Sequence, residues 1–275
     1  MARVETTDIG EFKVMALTDG GVEFTPDLFP GTDPDYILGL LKAAGQDAIQ
    51  TNFNAFAVMS GDDVLLVDAG PRDLFGDTCG FLPEALEEAG IAPEAVTHLL
   101  FTHLHPDHTA GAVTADGAAV FPNATVFVDQ ADHAFWTKET FADETMQGWQ
   151  GVAKGVLAAY AGRIEQTAGA QDLVRGVSLV PLPGHTPGHI GFRVDDGASG
   201  FLHIGDVAHA PHVQLADPEV AIVFDVDADT ARATRKRTLD MLAADGLVFS
   251  GGHMLSPKFA RLTRKGSGFV WEADT

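Results

Sequence analysis

Val96-Thr97-His98-Leu99-Leu100-Phe101-Thr102-His103-Leu104-His105-Pro106-Asp107-His108-Thr109-Ala110-Gly111 starts as an almost wholly apolar run and ends with three histidines and an aspartate inside six residues. The apolar half reads as a strand from Val96 to Thr102, covered on both faces. In extended chain, positions i and i+2 point the same way, so His103 and His105 can grip one ion while Leu104 packs behind them. Pro106 then turns the chain. Asp107 and His108 leave in a new direction, toward a second ion beside the first. A chance surface cluster would not put four potential ligands at this spacing directly after a buried strand.

One loop cannot surround an ion, so further ligands must come from distant sequence, and the chain offers them wherever a strand gives way to a loop. Leu182-Pro183-Gly184-His185-Thr186-Pro187-Gly188-His189 is a rigid turn that can present His185. Phe201-Leu202-His203-Ile204-Gly205-Asp206 ends an apolar run on Asp206, a carboxylate able to bridge two cations, and Leu247-Val248-Phe249-Ser250-Gly251-Gly252-His253 repeats the device. Other histidines have plainer readings. His189 is expected to support the Gly-Pro turn from behind the ligands. His98 and His203 lie in strands, His203 as core, and His133 sits on a helical surface. His209 and His212 follow Asp206 closely enough to line a pocket, and read equally well as loop residues. Cys79 reads as packing.

Around these motifs, residues 53–59 and 64–68 form a strand pair joined by Ser60-Gly61-Asp62-Asp63. Pro83 opens and Gly90 closes a short helix. Residues 124–128, 177–182, 190–194, 201–204 and 247–249 read as strands, and 230–244 as a helix, in which Arg232, Arg235, Lys236 and Arg237 form a solvated face. Residues 131–170 lack β-branched runs and read as a helical insert between two halves. The expected fold class is α/β: one domain over residues 1–275, with two mixed sheets packed together and helices outside.

The run His-Leu-His-Pro-Asp-His-Thr-Ala-Gly, with Gly-His-Thr-Pro-Gly-His, Gly-Asp and the late Gly-Gly-His, resembles the metallo-β-lactamase superfamily. The resemblance implies an αββα sandwich with two metal ions. One would take His103, His105 and His185, the other Asp107, His108 and His253, with Asp206 between them; Asp68, in Val-Asp-Ala-Gly, matches an aspartate that stands behind the ligands. Residues 74–76, 119–124, 213–218 and 266–269 and the Asp132 to Trp136 segment are similar to the methyl parathion hydrolase group and its lactonase and esterase relatives. That likeness implies a hydrophobic substrate pocket, assigned to Phe75, Trp136 and Trp149, and a homodimer.

Composition narrows the function. A formal charge of −22 repels nucleic acid and anionic membrane surfaces. A single cysteine leaves metal binding to His and carboxylate, a donor set that suits Zn, Mn, Fe, Co or Ni without separating them; two divalent ions, zinc by expectation, are the implied cofactors. No signal peptide or spanning segment is legible, so a cytoplasmic protein is expected. Two cations sharing a water lower its pKa from ~15.7 toward ~7 and supply hydroxide as nucleophile. Asp107 can orient that water or pass a proton to the leaving group. A tyrosine, found beside the metals in some superfamily lactonases, has no counterpart after Asp206 here. The expected enzyme is a metal-dependent hydrolase of lactones or esters, with phosphotriesters as a side activity. The alternative is an iron-dependent oxidoreductase on the same scaffold, of the sulfur dioxygenase or di-iron type. A di-iron reductase would need an electron-delivering module for which this length leaves no room.

Overall fold

Within residues 63–67 successive side chains take opposite faces: Val64 and Leu66 pack outward under helices, while Leu65 and Val67 pack inward against a second sheet. The structure, a computed structural model, describes residues 2–197 and 199–274. Its first sheet runs, in spatial order, β1 (Val4–Ile9), β2 (Phe12–Phe24), β3 (Ile49–Ser60), β4 (Asp63–Val67), β5 (His98–Leu100), β6 (Thr125–Asp129) and β7 (Ile164–Thr167). The second comprises β8 (Asp172–Val174), β9 (Val177–Pro181), β10 (Ile190–Asp195), β11 (Gly200–His203), β12 (Val248–Ser250), β13 (Ala260–Lys265) and β14 (Gly268–Ala273). Strands β4 to β7 pair in parallel, as do β11 and β12; the other pairs are antiparallel.

Helices α1 (Pro34–Ala43), α2 (Leu82–Ala89), α3 (Pro106–Thr109), α4 (Gln130–Lys138), α5 (Glu144–Ala159), α6 (Pro211–Gln214) and α7 (Ala228–Asp245) complete the chain. Leu86, Trp136, Val156 and Tyr160 cover Leu66, Leu99 and Val126 on the outer face of the first sheet. Phe56, Leu65 and Leu100 meet Phe192, Phe201 and Val248 between the sheets. On the far side, Leu239 and Leu242 of α7 cover Leu202, Ile204 and Phe249. The layers are therefore α/β/β/α, the expected class. Gly90, at φ 72°, ends α2 in the left-handed conformation that a Cβ disfavours.

The strand expected over 96–102 is shorter, His98–Leu100. Thr102 leaves the ladder because its N–H donates to the Asp68 carboxylate instead. Residues 131–170 carry α4 and α5 but also β7 at their end. Among the described residues no helix is long and apolar enough to cross a membrane.

Candidate metal centre

Each candidate ligand sits just past the C-terminal end of a strand, and the ends of β5, β9, β11 and β12 meet at one edge of the sandwich. After β5 the chain bends at residues 102–103, and His103 and His105 reach one point while Leu104 packs into the core. Pro106 opens α3, its fixed φ suited to a first helical position, and the turn carries Asp107 and His108 around the same point. The Gly184 turn presents His185, and the turns after β11 and β12 present Asp206 and His253.

Three imidazole nitrogens converge. His103 Nε2 and His105 Nδ1 lie 3.0 Å apart, His105 Nδ1 and His185 Nε2 2.9 Å, and His185 Nε2 and His103 Nε2 3.1 Å. The tautomers of His103 and His185 follow from their outer partners. Thr102 gives its hydroxyl proton to Asp68, so its oxygen can only accept from His103 Nδ1. His185 Nδ1 faces the acceptor Asp225 Oδ1 at 3.0 Å. Burial pushes the pKa of all three rings well below the imidazole value, so they are neutral. Neutral rings held this way turn lone pairs toward one another with no proton between His103 and His185. A cation resolves that contact, and neutral imidazole is the form a metal takes.

The second group has the same property. His253 Nδ1 donates to the Asn52 carbonyl at 2.8 Å, and His108 Nδ1 meets Asp68 Oδ2 at 2.7 Å. Their free Nε2 atoms therefore face Asp206 Oδ2, at 2.8 Å from His253 and 3.1 Å from His108. Burial opposes charge on His108, yet Asp206, Asp107 and Asp68 outweigh it and raise its pKa well above the usual value; Asp206 likewise outweighs burial at His253. A proton is the smallest cation that relieves such contacts. Asp107 Oδ2 completes the group, 3.4 Å from His108 Nε2 and 3.5 Å from His253 Nε2. Asp206 Oδ2 is also 3.7 Å from His103 and 3.4 Å from His185, so it lies between the two groups, while its Oδ1 is buried without a hydrogen-bond partner among the described residues. On its chemistry this His and Asp donor set is suited to divalent metal.

Asp68 stands behind the site, and His189 accepts the Asp206 N–H on Nε2 at 2.9 Å while its Nδ1 donates to the Leu182 carbonyl. Several groups near the centre had no motif to announce them. His209 stacks on His253 at 4.8 Å and brings Nε2 within 3.2 Å of Asp206 Oδ2; its place three residues after Asp206 is the signal available in sequence. His212 instead packs on Trp271. Arg235 corrects the expected solvated face of α7. It is buried, donates to the Val207 and Val220 carbonyls, and pairs at 3.4 Å with Asp225, which in turn holds His185. Burial of so large a cation is tolerated because carbonyls and a carboxylate meet it.

Above the cluster lies a cavity of about 50 Å³ walled by Phe24, Phe53, Phe75, Trp149 and Phe224, with His209 at its floor. Among the described residues neither Lys nor Arg lines it. Phe75, 42% exposed at the rim, stacks on Phe53 at 5.2 Å. Trp136 does not reach this cavity: it shares the inward face of α4 with Asp132, four residues earlier, and is buried against Phe135, Phe141 and the edge of His105. The pocket role expected of Trp136 is withdrawn.

Residues 51–253 match the model of the metallo-beta-lactamase superfamily. The fold is similar to that of AbOPH, a hydrolase of the beta-lactamase superfamily, with a TM-score of 0.93, 30% identity and coverage of 100% of this chain and 98% of that one. It is also similar to AidC, a dizinc quorum-quenching lactonase solved with a product, N-hexanoyl-L-homoserine: TM-score 0.89, 25% identity, covering 99% and 97% of the two chains. An N-acyl homoserine lactonase of Bacillus cereus is 24% identical over 61% of this chain and 60% of its own length. The chain spans 60% of the first curated relative it matches and 40% of the next two. By matched sequence, by layered fold and by a His/Asp cluster suited to divalent metal, the chain belongs to the metallo-β-lactamase superfamily, whose metal-dependent hydrolases it resembles throughout.

Proposed function

We propose that the protein is a dinuclear metal hydrolase of uncharged lactones or esters, of the branch that includes methyl parathion hydrolase, with phosphotriesters as a side activity. The observation that carries the reading is Asp206 standing between two converging donor groups beneath an apolar cavity that, among the described residues, neither lysine nor arginine lines. Two divalent ions held by His103, His105, His185 and by Asp107, His108, His253 would supply Lewis acidity, activating water near neutral pH and drawing charge from the scissile group. The remaining roles belong to the chain. Asp107, facing the cavity, orients the attacking water and receives its proton. His209, whose Nε2 meets Asp206 Oδ2 at 3.2 Å, holds that carboxylate in place from the cavity floor. The five rings bury the non-reacting part of the substrate, and their lack of charge selects neutral compounds over anions.

Two expected results test this. Purified protein supplemented with zinc should hold two ions per chain by elemental analysis, and a ceiling of one would remove the dinuclear reading. Trp149→Ala should raise KM for a bulky aryl ester or hydrophobic lactone about tenfold, since ~60 Å² of lost contact at about 25 cal/mol per Å² amounts to ~1.5 kcal/mol. The value of kcat should change much less, because the ring touches ground and transition states alike. Steady-state constants for one bulky and one small ester decide it; equal losses on both would place Trp149 in support of the fold.

A further inference from the structure

We propose that Asp132 and Asn54 are positioning residues for separate halves of the centre, Asp132 fixing the loops that carry His103, His105 and His185, and Asn54 fixing the loop that carries His253. The proposal rests on the metal reading above and concerns what holds the ligands in place.

Asp132 lies in the first turn of α4, outside every ligand motif. Its Oδ2 accepts the N–H of Leu104 at 2.8 Å, the residue between His103 and His105. Its Oδ1 accepts the N–H of Gly188 at 3.3 Å, three residues beyond His185. One buried carboxylate thus ties together two loops far apart in sequence, each of which would otherwise bury an unpaired N–H. Gly188 permits the approach: a Cβ there would come within 2.4 Å of the Asp132 nitrogen. Burial raises the Asp132 carboxyl to about 6, so the fold keeps an ionised group there against its own preference.

Asn54, in β3, does the corresponding work across the other half. Its Nδ2 donates to the Gly252 carbonyl at 3.0 Å and the Met254 carbonyl at 2.9 Å, on either side of His253, and its main-chain N–H reaches the Gly252 carbonyl at 2.9 Å. Thr18 fixes the amide's orientation by donating to Asn54 Oδ1 at 3.1 Å. An aspartate of the same shape would turn an acceptor toward those carbonyls.

The test separates the halves. His253→Ala retains the three-histidine group, and His185→Ala retains the group around His108. Metal-free protein in each background is titrated with zinc against a chromophoric chelator, with and without Asp132→Asn or Asn54→Asp. Asp132→Asn should weaken binding about 10- to 100-fold in the His253→Ala background and leave the His185→Ala background unchanged; Asn54→Asp should do the reverse. With cobalt(II) in place of zinc, the ligand-field absorption of the retained ion should shift only in the matched pairings. Equal weakening in both backgrounds would reduce both residues to general support of the fold and overturn the proposal, as would no weakening in either. A wild-type chain that binds no zinc in the same titration would overturn the metal reading itself. If circular dichroism shows that an isosteric variant does not fold, Asp132→Ser or Asn54→Ser takes its place under the same criteria.

Discussion

Asp206→Ala is expected to reduce kcat/KM by roughly 10³-fold or more, because it removes several kcal/mol of charge stabilisation at 1.4 kcal/mol per decade. The effect is concentrated in one atom. His108, His253 and His209 all direct Nε2 at Asp206 Oδ2, and His185 lies 3.4 Å from it, so no neighbour can substitute for the carboxylate. The metal content of the variant should fall below two ions per chain. Its fold should persist, since the buried carboxylate contributes to no layer of the core. Elemental analysis and turnover on a lactone and an aryl ester check the pair of expectations. Near-normal turnover with two bound ions would show that Asp206 does not join the groups.

Asp68 should be the most sensitive position behind the ligands. Its carboxylate accepts from the Thr102 N–H at 2.8 Å, from the Thr102 hydroxyl at 2.9 Å and from His108 Nδ1 at 2.7 Å, and its own backbone sits at φ 59°. Asn tolerates that left-handed conformation and keeps one acceptor oxygen, so Asp68→Asn should fold and lose about 10- to 100-fold in activity through a misoriented His108. Asp68→Ala strands three buried donors at about 1–3 kcal/mol each and leaves the left-handed backbone to a residue without the short polar side chain that lets Asp and Asn adopt it. Its melting temperature should drop by about 10 °C. Thermal denaturation and activity of the two variants side by side separate the roles; an Asp68→Asn enzyme with full activity would show that the His108 contact is incidental.

The metal cluster was legible because its ligands are dense in sequence and each follows an apolar strand, so local pattern and tertiary position coincide. Residues outside those motifs had no such coincidence. Arg235 reads as one of four basic residues on α7, and only the fold reveals that its side of the helix meets Asp225 and the carbonyls of the 207–220 segment. Trp136 and Trp149 are alike in composition and neighbourhood, yet helical phase sends one under the first sheet and the other to the cavity. Strand β1 carries Thr, Glu and Asp, and β2 interrupts its apolar run Val14-Met15-Ala16-Leu17 with Thr18, Asp19 and the Gly20-Gly21 pair; pairing of β2 with the long β3, and of β1 with β2, sets their extent. Phe24, Phe53 and Phe224 gather at the cavity from three separate regions, a convergence that periodicity does not encode.

The cavity without a lysine or arginine also bears on how a reaction cycle closes. Hydrolysis of a neutral ester or lactone creates a carboxylate, so substrate and product differ by a full negative charge. On the proposed reading, walls of five aromatic rings welcome the first and give the second no counterion beyond the ions at the floor, and the surrounding chain, at −22, adds a field that draws an anion outward. On that reading the lining that selects what enters offers the product's new charge no hold of its own once the bond is cut.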